Sequence, residues 1–335
     1  MASKNSIALE ETLATFVRQH PHIKKQKSVA VAVSGGPDSM ALAHAVFCFF
    51  DMANIHFICV NHGLRESVHR EIEQVQQWVE GLGRDNVSLS VLTWEGDKPQ
   101  NALMENARTA RYDLMERYCA EHDIQSLFVG HHLDDQAETF LIRLSKGSGL
   151  DGLACMPTIH QKKSVQIVRP FLSCAKADLI KYCTKNDVLF SNDPSNKNED
   201  YMRPRLRQSQ AILEAEGLSA KRLSMTAKRI RRAREALEEI SIAAYEDGII
   251  DDMKTLQTLD INVLEKFPDE IIFRVFHHAL KKIRVDKPYN VRMEKLEDLF
   301  ETLWFDIEKF KPRTLGGVKI SVNLKKKKIL TLEQE

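Results

Sequence analysis

Four short apolar runs punctuate the N-terminal half of the chain: Ser28–Val33, Ile55–Asn61, Val87–Thr93 and Ser126–His131. They barely alternate with polar residues, which predicts strands buried on both faces. Between and after them lie stretches of helical periodicity at Ser39–Phe50, Glu66–Leu82, Asn101–His122 and Asp134–Lys146. Strands regularly spaced by helices predict an α/β fold with a doubly wound parallel sheet. In such sheets ligands bind beyond the carboxyl ends of the strands. Three polar segments fall there: Ser34–Ser39, Asn61-His62-Gly63 and His131–Asp135.

A Gly-containing loop follows at Gly147–Gly152. Val165–Asn196 then reads as a strand, a helix and the turn Asn192-Asp193-Pro194-Ser195-Asn196. Beyond about residue 210 strand signals fade, and Leu206–Glu246 and much of Asp260–Phe310 read as helical. Thr314–Val322 and Lys325–Leu332 read as a terminal hairpin. The expected organisation is a catalytic domain over residues 1–210, a helical domain over 211–312 and the hairpin over 313–335.

The length of 335 residues suits two domains, and a hydrophobic content of 43% supplies real cores. Net charge is +1, so a polyanionic partner has to be met by a local patch. The cysteines at 48, 59, 119, 155, 174 and 183 include no C-x-x-C pair, which removes support for zinc-finger and thioredoxin-like readings. The first residues read as an amphipathic helix ending near Pro21, and no apolar run is long enough to span a membrane. A cytoplasmic protein with reduced thiols is expected.

The segment Ser34-Gly35-Gly36-Pro37-Asp38-Ser39 sits between the first strand and a helix. Glycines let backbone approach an anion, and proline suits the first helical turn. The helix N-terminus then offers free N–H groups to a phosphate. No Gly-Lys-Ser/Thr follows, so this is not a Walker A loop. It resembles the PP-loop of the ATP pyrophosphatases, which implies that it holds the pyrophosphate end of ATP. Asp38 beside a phosphate calls for a cation, and magnesium is the natural one; the plainer reading is a carboxylate stabilising the helix dipole.

Asp134, Asp135 and Glu138 cluster at the start of the next helix, after His131 and His132. Three readings stay open: a metal site using His131, His132, Asp134 and Asp135, a grip on an ammonium group, or simple capping with solvated acids. Arg108 and Arg111, one turn apart, read either as a phosphate clamp or as a solvated face.

Taken together, SGGPDSMAL (34–42), VNHGLRESVHRE (60–71), ENARTARY (105–112), GHHLDDQAET (130–139), RLSKGSGLDGLACM (143–156), RPFL (169–172) and SNDPSN (191–196) resemble the tRNA(Ile)-lysidine synthetase family. The resemblance implies a two-step reaction. ATP adenylates C2–O of the wobble cytidine in a CAU-anticodon isoleucine tRNA, and the ε-amine of free lysine displaces AMP. It implies ATP binding by Ser34, Gly35, Gly36, Pro37, Asp38 and Ser39, with Asn61, His62 and His131 beside the nucleotide. Asp38 would take Mg²⁺, Asp135 and Glu138 would hold lysine, and Arg111 would stabilise the intermediate with support from Arg108.

From Arg203 to Arg234 ten basic residues face two acids, Glu214 and Glu216. With the resemblance, this stretch reads as a tRNA contact through Arg203, Arg205, Arg207, Lys228, Arg229, Arg231 and Arg232; the plainer reading is a solvated helix. Lys325–Lys328 is a weaker candidate. The family shows Arg-Asn where this chain has Arg203-Pro204, and longer members continue past the hairpin, so acceptor-end recognition is expected to differ. A homodimer is left open. Three rivals remain: a tRNA thiolase on the same fold, a metal-dependent hydrolase, and a tRNA-binding module without catalysis.

Overall fold

The computed structural model describes residues 9–63, 68–96, 103–191, 202–283, 291–325 and 328–335. The turn at Asn192–Asn196 and Lys326 and Lys327 lie outside the described residues. The chain divides into two compact units, Met1–Ile230 and Arg231–Glu335.

The first unit opens with helices α1 (Leu9–Gln19) and α2 (Pro21–Lys24). There follow β1 (Ser28–Ala32), α3 (Pro37–Phe49), β2 (Asn54–Asn61), α4 (Val68–Glu80), β3 (Val87–Thr93), α5 (Leu103–Glu121), β4 (Ser126–Phe128) and α6 (Leu133–Ser145). After the short α7 (Leu150–Leu153) come β5 (Ile159–Lys162), β6 (Val165–Val168), α8 (Lys176–Lys185), α9 (Met202–Gln208), α10 (Gln210–Ala215) and α11 (Ala220–Gly248). The sheet order is β3-β2-β1-β4-β6-β5. Every pair is parallel except β5–β6, a hairpin that adds an antiparallel edge. The expected doubly wound sheet is present, with β5 as an addition.

Burial explains the apolar runs. Val29, Ala30 and Val31 in β1 and Leu127 and Phe128 in β4 are fully buried. Helix α3 is apolar almost all round because it is sandwiched, packing on α1 and α8. Phe57, Phe128 and Phe171 fill the centre, each stabilising by about 1.5–3 kcal/mol. The strand order reverses at β1: the chain moves outward to β2 and β3, then returns through α5 to β4 on the other side. The loops after β1 and β4 therefore flank the crevice at the switch point.

The division between units falls inside α11, later than the boundary expected near 210. Leu223 and Ala227 are buried and Ile230 partly so, all against Ala137, Phe140 and Cys155, so the start of α11 belongs to the first unit. The 3.6-residue period leaves Lys221, Arg222, Lys228, Arg229 and Arg232 exposed.

The second unit holds β7 (Ile249–Asp252), β8 (Leu256–Asp260), α12 (Ile261–Leu264), α13 (Asp269–Ile283), α14 (Met293–Phe305), β9 (Arg313–Leu315), β10 (Val318–Asn323) and β11 (Ile329–Gln334). The expected hairpin is the antiparallel β10–β11 pair. It is not a separate element: the sheet runs β7-β8-β11-β10-β9. Strands β7 and β8 lie between the two stretches expected to be helical and add a strand pair to the expected helical domain. Side chains from α13 and α14, such as Phe276 and Phe300, share one core with Leu259, Ile320 and Leu332 of the sheet.

Candidate active site

The loop after β1 closes on itself. Ser39 Oγ accepts a hydrogen bond from Ser34 N–H at 3.1 Å and donates one to Gly36 O at 3.0 Å. Ser34 Oγ lies 3.2 Å from Ser39 Oγ. Gly35 adopts φ +79°, a left-handed conformation that suits glycine. Pro37 occupies the first turn of α3, and Met40 N–H makes the first helical bond to Gly36 O at 3.0 Å. The helix starts at Pro37, two residues before the expected Ser39, so the N–H groups over the loop belong to a formed helix end.

The loop after β4 comes very close to it. A Cβ built on Gly130 would lie 2.8 Å from Asp38 O and 3.1 Å from Ser39 N. Only glycine permits this approach of two backbones. It brings the acidic cluster at the start of α6 against the phosphate loop.

His132 joins the two. Its ring is buried, with Nε2 3.4 Å from Asp38 Oδ2 and 3.5 Å from Asp135 Oδ2. Its Nδ1 lies 3.4 Å from Asp134 Oδ2. Burial alone would favour the neutral ring, but the carboxylates of Asp134, Asp38 and Asp135 outweigh it and push His132 up to about 9. Asp134 also accepts the Lys176 N–H at 2.9 Å, and Asp135 caps α6 by accepting the His132 N–H at 3.1 Å. The sequence reading offered His132 only as a metal ligand. Among the described residues no group of three or more His, Cys, Asp or Glu is disposed to hold a metal ion by itself. His132 instead lies within ion-pair distance of three carboxylates.

Asp38 has two distinct oxygens. Oδ2 faces His132, and Lys176 Nζ at 3.7 Å. Oδ1 is buried without a hydrogen-bond partner. An orphaned carboxylate oxygen beside a helix N-terminus fits a hard cation that also binds phosphate oxygens.

His131 has the opposite character. Arg169 Nε donates to its Nδ1 at 3.2 Å. Burial, reinforced by Arg169, Arg108, Arg111 and Arg203, holds it well below the ordinary histidine value. It is a neutral ring with Nε2–H as its donor. Arg111 is partly buried beside the Tyr112 ring, and its Nε has no hydrogen-bond partner. Arg108 is exposed on the other turn. Asn61 and His62 lie past β2: Asn61 Oδ1 accepts the Gly63 N–H at 2.9 Å, and His62 meets Trp94 edge-on.

Glu138 is buried one turn beyond Asp135, and it is engaged. Arg207 Nε donates to Oε1 at 2.6 Å and its Nη2 to Oε2 at 3.3 Å. Arg203 Nε lies 3.9 Å from Oε2. Two residues expected to touch tRNA are thus turned toward the acidic cluster. Arg205 between them is exposed. Pro204 falls in the first turn of α9, where a missing N–H costs nothing. Sequence reasoning missed Gly130, Lys176 and Arg169 as site residues, and His132 as the bridge between the loops. Gly130 stands inside GHHLDDQAET and Arg169 opens RPFL, whereas Lys176 arrives only through folding.

The PP-loop domain model matches residues 5–213. The tRNA(Ile)-lysidine synthase of Methylobacterium nodulans is 35% identical over 277 residues, covering 81% of this chain and 79% of that protein. The tRNA(Ile)-lysidine synthase of a Bradyrhizobium species is 33% identical, covering 87% and 81%. The chain belongs to the tRNA(Ile)-lysidine synthase family. Some members are longer: the chain spans 63% of the Wolbachia relative, which is 34% identical.

Among solved structures, the U34-tRNA thiolase NcsA of Methanococcus maripaludis superposes with a TM-score of 0.50 at 17% identity, over 70% of this chain and 86% of that one. This likeness is one of fold. The thiols of this lysidine synthase family member suit sulfur transfer poorly. Five of its six cysteines are buried. Burial pushes Cys59 and Cys183 up to about 11 and Cys119 to about 12, far from the thiolate that such chemistry needs. No helix among the described residues is long and apolar enough to cross a membrane.

Proposed function

We propose that this chain ligates free L-lysine to C2 of the wobble cytidine in CAU-anticodon tRNA(Ile), releasing AMP and pyrophosphate. The supporting observation is the seam between the two loops, where Gly130 and His132 put the phosphate-loop carboxylate against the acidic start of α6. An adenylating site and a cation-binding site side by side are what the two half-reactions require.

In the first half-reaction the cytidine C2 oxygen attacks the α-phosphorus and pyrophosphate leaves. The residues from Ser34 to Ser39, with the N-terminus of α3, hold the phosphates. Asp38 would hold Mg²⁺, which supplies positive charge to the phosphate oxygens. His131 donates from Nε2 beside the nucleotide, with Asn61 and His62 at its edge. The unpartnered Nε of Arg111 is available for charge developing on the activated base. In the second, the lysine ε-amine attacks C2, a C–N bond forms and the C–O bond to AMP breaks. Lysine is an ammonium ion at neutral pH. Asp135 and Glu138 bind that cation, and one of them takes its proton. The exposed Lys228, Arg229 and Arg232, with Arg205 and Arg231, would meet the tRNA backbone.

The test is retention of labelled lysine on tRNA with ATP and Mg²⁺, comparing the isoleucine CAU tRNA with an initiator CAU tRNA. Lysine is retained on the isoleucine tRNA alone, and AMP appears. Asp38→Ala abolishes AMP formation. Glu138→Ala raises the lysine requirement and leaves tRNA binding largely intact. Turnover of ATP to AMP with no lysine retained would hand the nucleophile to another group.

A further inference from the structure

The carboxylate assigned to the substrate amine already has a cation on it. Arg207 takes both oxygens of Glu138 in a bidentate pair, 2.6 and 3.3 Å, inside a buried pocket. The same guanidinium feels the charges of Asp135 and Asp38. An incoming ammonium needs those oxygens, and one carboxylate cannot serve both in this geometry. We propose that Arg207 is a resident stand-in for the lysine ammonium, which occupies Glu138 in the RNA-free protein and gives it up when an RNA phosphate takes the arginine. The inference rests on the reading of Asp135 and Glu138 as the amine pocket.

The choice of arginine is chemically apt. A guanidinium keeps its proton at any working pH and does not act as a nucleophile. It neutralises the buried carboxylate without being able to attack an activated base. A buried Glu138 with no cation would be costly, so the resident arginine also keeps the empty pocket intact. Its position supplies the exchange partner. Arg207 lies on α9, a helix of seven residues that also carries Arg203 and the exposed Arg205. Arg205 and Arg207 are two residues apart and point to roughly opposite sides of this short helix, so a polyanion drawn to Arg205 engages the element that carries Arg207. Arg207 is only partly buried, so it can leave Glu138 for solvent or phosphate without unfolding the core. RNA binding and amine binding then favour each other, and lysine affinity is low until the acceptor RNA has arrived.

Equilibrium dialysis of labelled lysine against the full chain, with ATP and Mg²⁺ but without RNA, tests this directly. Arg207→Met, which keeps an apolar stem and removes the charge, should bind lysine about tenfold more tightly than the unaltered protein. Glu138→Gln should bind it more weakly, and the double variant should behave as Glu138→Gln does. In the unaltered protein, the CAU isoleucine tRNA should raise lysine affinity, and lysine should raise tRNA affinity by the same factor. Unchanged or weaker lysine binding by Arg207→Met, with no response of the unaltered protein to tRNA, would overturn the stand-in role. If Glu138→Gln leaves lysine affinity unchanged, the amine-pocket reading itself fails. The tRNA titration needs no substitution, so a variant that folds badly does not shield the proposal.

Discussion

A methyl group at position 130 would sit 2.8 Å from the Asp38 carbonyl oxygen and 3.1 Å from Ser39 N. Both neighbours are backbone, so relief comes only by moving the phosphate loop away from α6. Gly130→Ala is expected to lose most AMP formation and to cost on the order of 1–3 kcal/mol of stability. AMP release and thermal unfolding measure the two effects; a variant that kept both would show that the loops tolerate separation. His132 gives a pH signature. An unfolded histidine titrates near 6.5, and in the fold His132 is held up at about 9. Its stabilisation is therefore fully present below about pH 6.5 and is lost as pH rises through 9. The buried thiols act in the same direction, but only above the ordinary cysteine range near 8.5. Denaturation midpoints between pH 6.5 and 8.5 should thus fall for the unaltered protein and stay flatter for His132→Asn. At this scale the sequence was readable where a residue's partners are near in the chain, as with Ser34–Ser39. It was silent on Arg207 and Glu138, which lie 69 residues apart and carry no local sign of their pairing.

Elements read well where one physical rule dominates. Strands β1 and β4 are legible because the centre of a sheet covered on both faces demands apolar residues at nearly every position; β3, expected to be buried on both faces, is instead the edge strand, with Ser88, Val91 and Thr93 exposed. The expected fourth strand ran to His131, yet β4 ends at Phe128, because the segment leaving the sheet stays apolar until Gly130. Strand β5 was invisible: Ile-His-Gln-Lys at an edge carries no buried pattern. Strand β8 was hidden for another reason. Its inward positions are Gln257 and Leu259, and Gln257 is buried because it accepts from Tyr245 Oη at 2.8 Å and donates to Asp252 Oδ1 at 2.7 Å. A polar residue satisfied by distant partners looks like a surface residue in the sequence. The basic start of α11 was legible as charge, while its anchoring required the structure. Leu223 and Ala227 hold it to the first unit, which places Lys228 and Arg229 on the face turned to solvent.

For the molecule as a whole, a net charge of +1 leaves little long-range attraction for RNA. Binding then depends on the local basic face. Replacing Lys228 and Arg229 together by glutamine should weaken tRNA binding, and should lower the slope of log affinity against log salt by about one per lost phosphate contact. Filter binding across a salt series measures it; an unchanged slope would move the tRNA contact elsewhere. The second unit has a different kind of dependence. Its sheet is centred on β11, which pairs with β8 on one side and β10 on the other. Asp260 finds Ile329 across some 70 intervening residues, whereas β10 and β11 are near neighbours. Closing so long a loop is entropically slow, and contacts of this span set folding rates. The β7–β8 and β10–β11 pairs are both local, and β11 joins them across the long intervening segment. During synthesis this unit therefore waits for its final strand to clear the ribosome. A stop codon or frameshift just before Ile329 would not trim an edge; it would take out the middle of the sheet.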